Sequence, residues 1–304
     1  MPSARPTHFL CLPLVTPASL PQFTASLALF ARDKAIQQNS SPGKWNKQKS
    51  PPREKKRSNF DADGSDEHEQ PVNAKEGYVP IKAVRPVGPL HLTLGVMHLD
   101  SKDKVDAASE FLKAIDMDIL LNEVTQSFDR ALQHSKPLSQ SHPMAIGSAP
   151  AETEVISSAS PKSYSQSRQE QTQLVVQLKG LHTMQQPSKT RVLFAEPIDA
   201  SERLSSFCQL LRNKFINEGF MIDEERDLKL HATIVNTIYA SKHGRNSASK
   251  RRMEFDASDL IERWKEKVWA EVTITKVAIC EMGAKEDATG QVKYQEVAER
   301  IFGL

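Results

Sequence analysis

The chain has 304 residues, of which 38% are hydrophobic and 6% aromatic, and its formal net charge at pH 7 is +2. A charge this close to neutral excludes a polycation that binds nucleic acid through its overall field, so any such affinity requires a local site. No apolar run reaches the ~18 residues of a transmembrane helix, and the cysteines (Cys11, Cys208, Cys280) show neither a disulfide framework nor metal-ligand spacing. We therefore expect a protein of the nucleus or the cytoplasm, without a membrane partner.

Two segments lack the apolar period of a packed element. Residues 33–77 run through a basic block and then an acidic block, and residues 126–170 contain eleven serines with scattered proline and glutamine. Their low hydrophobicity cannot offset the entropy that is lost when a chain is ordered, so both are predicted to be disordered insertions. The remaining core, residues 7–32, 78–125 and 171–300, is predicted to form one domain within 1–304.

In chain order, the core sequence predicts strands mixed with helices. Short apolar runs bounded by turn residues predict strands, and apolar residues at intervals of three and four predict amphipathic helices. The predicted elements are strand 8–15, helix 19–32, strand 90–99, helix 105–115, a short element 118–124, strands 174–180 and 191–195, helix 204–215, strand 228–238, helix 258–269, and strands 272–280 and 291–297. Pro13 places the first strand at a sheet edge or ends it early. This order, with few regular strand–helix–strand crossovers, favours an α+β fold.

One tetrapeptide occurs twice in the predicted strands, as HLTL beginning at His91 and as HATI beginning at His231. Side chains alternate along a strand, so each His and the Thr two residues later share one face, while the apolar residues between them point into the core. Two such strands that face each other bring two imidazoles and two hydroxyls into a single cleft. The predicted catalytic residues are His91, Thr93, His231 and Thr233.

This set of side chains suits phosphodiester chemistry without a metal ion. A neutral imidazole accepts a proton from water or from a 2′-hydroxyl, and a second, protonated imidazole supplies one to the leaving oxygen. The threonine hydroxyls donate to the non-bridging oxygens as negative charge develops there. A single His-x-Thr is also an ordinary strand sequence, so the motifs alone leave a purely structural role open.

The two motifs and the segments around them resemble the two-histidine, LigT-like phosphoesterase superfamily. The segments PTHFLCLPL, LHLTLGVMHL, LKGLHTM before RVLFAEP, and LKLHATIVNT follow one another as in the domain of A-kinase anchoring proteins named for its nuclear localisation signal. A similar domain ends a subunit of the activating signal cointegrator complex. The resemblance implies a bilobal α+β fold, with two antiparallel sheets, flanking helices and pseudo-two-fold symmetry about a central cleft. It also implies activity on 2′,3′-cyclic phosphates or 2′-5′ linkages.

Two segments depart from the pattern of this superfamily. GLHTM begins at Gly180 where related members often have Gly-x-Gly-Thr-Phe, and KLHAT begins at Lys229 where they have Lys-Pro-His-x-Thr. Lys229 is retained and is predicted to bind substrate phosphate, although a solvated lysine at a strand edge fits the sequence equally well. His182 lies in a predicted loop, from which it is predicted to approach substrate.

The expected function is a metal-independent phosphodiesterase that acts on RNA ends or oligonucleotides, works without a cofactor and is a monomer. A non-catalytic nucleotide- or RNA-binding module of a nuclear coactivator or scaffold assembly is the alternative, and RNA-end ligation would use the same residues. The basic run at 44–57 favours nuclear import over a nucleic-acid tether or a solvated linker. No amphipathic helix of the kinase-anchoring type is recognised after residue 297.

Overall fold

The computed structural model describes residues 5–37, 78–134, 173–223, 225–240 and 253–303. Within these ranges the strands are β1 His8–Pro13, β2 Ile36–Gln37, β3 Val79–Pro80, β4 His91–Met97, β5 Leu174–His182, β6 Val192–Ile198, β7 Ala232–Asn236, β8 Val268–Ile274, β9 Lys276–Glu281, β10 Lys285–Glu286, β11 Val292–Lys293 and β12 Glu296–Ile301. The α-helices are α1 Leu20–Phe30, α2 Lys102–Ala114, α3 Met117–His134, α4 Arg203–Asn217 and α5 Ser258–Trp264.

Two four-stranded antiparallel sheets form the two lobes of the molecule. The first sheet has the strand order β12-β9-β1-β4 and the second has the order β7-β6-β5-β8. The α+β prediction is therefore confirmed, and the two strands that carry the motifs, β4 and β7, each lie at the edge of a sheet. β1 lies inside its sheet and ends at Pro13, so the early end, and not the edge position, is the correct reading of this proline.

The alternation predicted for the motif strands is confirmed by burial. The four apolar residues of the two motifs are at most 1% exposed and belong to the hydrophobic core, whereas the histidines and threonines between them are half-buried. β4 follows its prediction closely, but β7 is shorter than the predicted strand 228–238. β7 ends at Asn236, whose side chain accepts the N–H of Ile238 and begins a 3₁₀ turn, and His231 lies just before the strand.

The chain passes from one lobe to the other between β8 and β9. The sequence predicted a single strand at 272–280, but β8 belongs to the second sheet and β9 to the first, with only Thr275 between them. The backbone N–H of Phe302 donates to the carbonyl of Thr275 at 2.9 Å, so the crossing point is itself hydrogen-bonded. Both halves of the run are apolar, and a local apolar pattern does not reveal which sheet each half joins.

The last helix is shorter than the predicted helix 258–269. α5 ends at Trp264, and Val268 begins β8, where it pairs with Lys179 of β5. The indole N–H of Trp269 donates to the carbonyl of Gly180 at 2.7 Å, a bond that a continued helix would not allow. The rings of Trp264 and Trp269 stack at 5.4 Å, and both residues are buried in the core, as predicted.

The boundaries of the two predicted insertions need correction. Asp33 accepts the indole N–H of Trp264 at 2.8 Å and β2 pairs with β3, so residues 33–37 belong to the packed domain. α3 continues to His134, beyond the predicted core boundary at residue 125. Its apolar side packs against α4, and this contact stabilises a helix that the serine content had obscured. The other predicted insertion residues, 38–77 and 135–170, lie outside the described residues.

No helix in the part of the chain that the structure describes is long and apolar enough to cross a membrane.

Candidate active site

Both motif strands contain a β-bulge at the same position. In the first sheet the pairing between β1 and β4 skips Leu94, and in the second sheet the pairing between β6 and β7 skips Ile234. Each skipped residue directly follows the motif threonine. An extra residue of this kind bends the strand and changes the direction of nearby side chains. The two lobes therefore repeat the tetrapeptide together with its local backbone irregularity, as expected for a pseudo-two-fold arrangement.

Each motif histidine is oriented by the carbonyl two residues before it. His91 Nδ1 donates to the carbonyl of Pro89 at 2.7 Å, and His231 Nδ1 donates to the carbonyl of Lys229 at 2.9 Å. A carbonyl oxygen only accepts, so in a neutral ring the proton resides on Nδ1 and Nε2 is the basic nitrogen. Both rings thus keep Nε2 for proton exchange.

A cavity of about 210 Å³, which we call the motif cavity, collects side chains from both lobes. It contains three of the four predicted catalytic residues. It is lined by Phe9, Arg85, Pro89, His91, Thr93, Val96, Thr233, Asn236, Tyr239, Met282 and Tyr294. The fourth residue, His231, is not among these lining residues, but its charge acts on His91. The structure therefore brings His91, Thr93 and Thr233 together and leaves His231 beside them.

His91 packs against two aromatic rings, which also contact each other at 4.8 Å. The ring of Phe9 lies 4.9 Å and that of Tyr294 lies 5.1 Å from the imidazole, measured between centroids. His91 Nε2 lies 2.9 Å from Thr93 Oγ1, so the threonine hydroxyl donates to the neutral imidazole. Burial also raises the pKa of the Tyr294 phenol to about 12, which keeps this neighbour uncharged.

The surroundings of His91 favour its neutral form. Removal from water is the main reason why the pKa of His91 falls from 6.5 to about 4, and the positive charges of Arg85 and His231 lower it further. The hydrogen bond to the carbonyl of Pro89 acts in the opposite direction and is outweighed. At neutral pH this imidazole is therefore available as a proton acceptor.

Arg85 is a residue of this site that sequence reasoning missed. Its guanidinium lies 4.1 Å from the centroid of the Tyr239 ring, and the residue is only 7% exposed. Its backbone N–H donates at 2.8 Å to the carbonyl of Ile234, the bulge residue of the second motif. This contact joins the segment that leads into the first motif to the strand of the second motif. No local pattern in the sequence connects two positions so far apart in the chain.

Three of the four predicted site residues of the second lobe meet around one aromatic ring. The imidazoles of His182 and His231 lie 5.8 Å and 5.4 Å from the ring centroid of Phe194, and the ammonium of Lys229 lies 5.5 Å from it. His182 was expected in a loop, but it is the last residue of β5. The β5–β6 pairing, which places His182 opposite Phe194, explains the difference.

Lys229 and His182 lie apart from the motif cavity. Lys229 lines a separate cavity of about 350 Å³ that also contains acidic side chains, among them Glu196. His182 Nε2 lies 3.7 Å from a carboxylate oxygen of Glu196. Gly180 makes room for this ring, because it has a φ of +70° and a Cβ there would lie 2.5 Å from His182 Nε2. The predicted role of both residues in substrate binding stays a prediction.

The described residues contain no group of three or more His, Cys, Asp or Glu side chains that could hold a metal ion.

Most of the chain matches a known family model. Residues 78–299 match the family model described as the AKAP7 2'5' RNA ligase-like domain. Comparison with curated protein sequences found no match. Similar solved structures include a phosphoesterase and E. coli LigT complexed with NADP+ or with 3'-AMP, each 11% identical to the chain. The alignments cover 98% of this chain and 99%, 99% and 98% of those chains, with TM-scores of 0.41, 0.41 and 0.39.

Proposed function

The chain belongs to the AKAP7 2'5' RNA ligase-like family of two-histidine, LigT-like phosphoesterases, and from this premise we propose that it is a metal-independent phosphodiesterase. Its proposed substrates are RNA ends or oligonucleotides that carry a 2′,3′-cyclic phosphate or a 2′-5′ linkage. The observation that carries the proposal is the motif cavity, in which His91, Thr93 and Thr233 meet although they come from different sheets.

His91 is the proposed general base, since its lowered pKa of about 4 leaves the ring neutral at pH 7. His91 Nε2 takes the proton of the attacking water, whose oxygen bonds to phosphorus. The bond from phosphorus to the leaving ribose oxygen breaks, and protonated His231 supplies the proton that this oxygen needs. Exchange with solvent then returns both rings to their starting protonation states.

The two threonines are the proposed donors to the non-bridging oxygens of the phosphate. Thr93 Oγ1 lies 2.9 Å from His91 Nε2, so on substrate binding its hydroxyl turns from the imidazole to a phosphate oxygen. This rotation frees Nε2 for the water at the moment when substrate is present. Thr233 lines the same cavity from the other lobe and donates from the opposite side. Such fixed donors stabilise the charge that develops in the transition state.

The size of the motif cavity supports a substrate that enters with one end. Its volume of about 210 Å³ is below the ~300–1,000 Å³ that is common for pockets enclosing a whole small ligand. A phosphate and part of a ribose fit this space, while the base and the rest of the chain remain outside. A neighbouring cavity of about 230 Å³ shares Pro89, His91 and Tyr294 with it, which gives room on a second side of the imidazole.

The test is turnover of the purified full chain on 2′,3′-cyclic nucleotides, on 2′-5′ oligoadenylate and on RNA ending in a cyclic phosphate. We expect hydrolysis to persist in the presence of a chelator. We also expect the substitutions His91→Ala and His231→Ala each to suppress it. His98→Ala is the matched control, because this ring follows β4 and donates to the carbonyl of Arg5 at 2.8 Å, away from the motif cavity. Activity that a chelator abolishes and a divalent metal restores would contradict the mechanism.

The same assay separates the enzyme from its alternative. Binding of a nucleotide without turnover of any of these substrates would identify a non-catalytic nucleotide- or RNA-binding module instead. The basic run at 44–57 lies outside the described residues, so its role in nuclear import stays part of the proposal, as do the monomeric state and membership of a nuclear assembly.

A further inference from the structure

Among the described residues that line the motif cavity, only Arg85 carries a full positive charge at pH 7. The other lining residues are apolar, aromatic or neutral polar, and the lowered pKa of His91, about 4, leaves its imidazole uncharged. A phosphodiester brings one negative charge into this space, and more negative charge develops in its transition state. The threonine hydroxyls are neutral donors, so they orient a phosphate without balancing its charge.

Within the described ranges, the guanidinium of Arg85 has no anionic partner. No carboxylate lies within salt-bridge distance of it in the part of the chain that the structure describes, although the residue is only 7% exposed. Another buried arginine, Arg203, donates from its guanidinium to the hydroxyl of Thr125 and the carbonyl of Gln173. A charge that is held largely out of water without a carboxylate partner is costly. This cost falls when an anion enters the cavity.

Two contacts with the second lobe hold Arg85 in place. Its guanidinium lies 4.1 Å from the ring centroid of Tyr239. The main chain is held as well, because the N–H of Arg85 donates to the carbonyl of Ile234 at 2.8 Å. A planar guanidinium that is already oriented loses little freedom when it binds a phosphate through two N–H groups.

We propose that Arg85 is the phosphate-binding cation of this site and that Tyr239 is the positioning residue that holds its guanidinium. The N–H groups of Arg85 donate to a non-bridging oxygen of the substrate phosphate and balance its charge, while the two motif threonines orient it. This inference rests on the proposed function for the identity of the substrate. The site then selects anionic phosphates. Both lobes contribute to this selection, because Arg85 precedes the first motif in the chain and is held by the carbonyl of Ile234 in the second motif.

The first test measures binding of adenosine 3′-monophosphate to the full chain by calorimetry. We expect Arg85→Met to weaken binding by ~10–100-fold, the effect of losing a charged hydrogen bond, and Arg85→Lys to recover part of the loss. Lys82→Met is the matched control, because it removes one positive charge from an exposed position of the same segment. Equal affinity of the wild type and Arg85→Met would overturn the proposal.

The second test separates phosphate binding from a structural role. Guanidinium ions added at millimolar concentration should restore part of the nucleotide affinity of Arg85→Ala, whereas equal concentrations of sodium ion or urea should not. Tyr239→Leu should weaken binding, and Tyr239→Phe, which keeps the ring, should weaken it less. If Arg85→Met does not fold, Arg85→Lys and the Tyr239 pair decide the outcome, and unchanged binding in all of them would contradict the inference.

The two proposals fail in different ways. If no substrate is turned over but nucleotide binding depends on Arg85, the proposed phosphodiesterase activity is wrong and the phosphate-binding role of Arg85 is supported. If cyclic phosphates are hydrolysed and Arg85→Met binds and turns them over like the wild type, the enzyme stands and the role of Arg85 is wrong.

Discussion

His91 and His231 occupy equivalent places in the two lobes but have different neighbours. Each donates from Nδ1 to the carbonyl two residues before it, and each motif has a bulge at its fourth residue. The hydrogen bond of His91 is partly buried and its ring packs against two aromatic rings, whereas the hydrogen bond of His231 is exposed. The repeated motif thus gives both histidines the same backbone geometry and the same hydrogen bond, while their neighbours place the two imidazoles in different environments.

This difference assigns the two proposed roles. Burial is the main cause that lowers the pKa of His91 to about 4, and the charge of Arg85 adds to it, so this ring is the proposed base. The half-buried His231, whose hydrogen bond to Lys229 is exposed, is the proposed acid. A repeated sequence motif therefore need not imply interchangeable residues. The predictions below test this asymmetry.

Removing either imidazole should have the largest effect. His91→Ala and His231→Ala are each expected to lower turnover by ~10²–10⁴-fold, because each removes one of the two proton-transfer groups. Steady-state turnover of a 2′,3′-cyclic nucleotide, with His98→Ala as the control, measures the effect. If one of the two variants keeps a near-normal rate, only one lobe supplies acid–base chemistry. That result would contradict the assignment of a base to one lobe and an acid to the other.

Removing the hydroxyl of either motif threonine should also lower turnover, but by a smaller factor than removing an imidazole. Thr93→Ala and Thr233→Ala are each expected to lower turnover by ~10²–10³-fold, because each removes one donor to the phosphate oxygens. Neither variant should change which groups titrate, so both limbs of the pH profile should remain. Thr93→Ser and Thr233→Ser keep the hydroxyl and are the matched controls. A lost limb in either alanine variant would show that the threonine is part of the proton transfer.

The pH profile should show the asymmetry directly. Because the pKa of His91 is lowered to about 4, this base is neutral above that pH and is lost only as the pH falls through it. At pH 5 most of the kcat/KM should remain, whereas a histidine near its ordinary pKa of ~6.5 would leave only about 3% as free base. The alkaline limb reports loss of the proton from the acid. An acid limb near pH 6.5 would show that the burial of His91 does not control its titration.

Changing the connection between the lobes should have the smallest effect. Residues 135–170 separate α3 from β5 in the sequence, and a Gly/Ser linker of half their length should change the free energy of unfolding by at most about 1–2 kcal/mol. Loop closure depends only weakly on length, which is the physical reason for this expectation. Chemical denaturation compared with the intact chain measures the change. A loss of cooperative unfolding would mean that the segment packs against one of the lobes.

Much of the site was predictable because its determinants are local. The alternation of polar and apolar residues in HLTL and HATI already places two imidazoles and two hydroxyls on the accessible faces of two strands. The structure confirms this pattern in the buried Leu92 and the half-buried His91 on either side of β4. The same two motifs, with the segments around them, also indicated the family whose model matches residues 78–299.

The sequence by itself determined the α+β class, the motif strands and the side chains that they expose, because these follow from the two-residue period of a strand. Only the tertiary structure decided that the chain changes sheets at Thr275, that α3 continues to His134, and that Arg85 binds the carbonyl of Ile234 and enters the motif cavity. Each of these features depends on a partner far away in the chain. Local periodicity reports which face of an element is apolar, but it does not specify which distant backbone or side chain that element will meet.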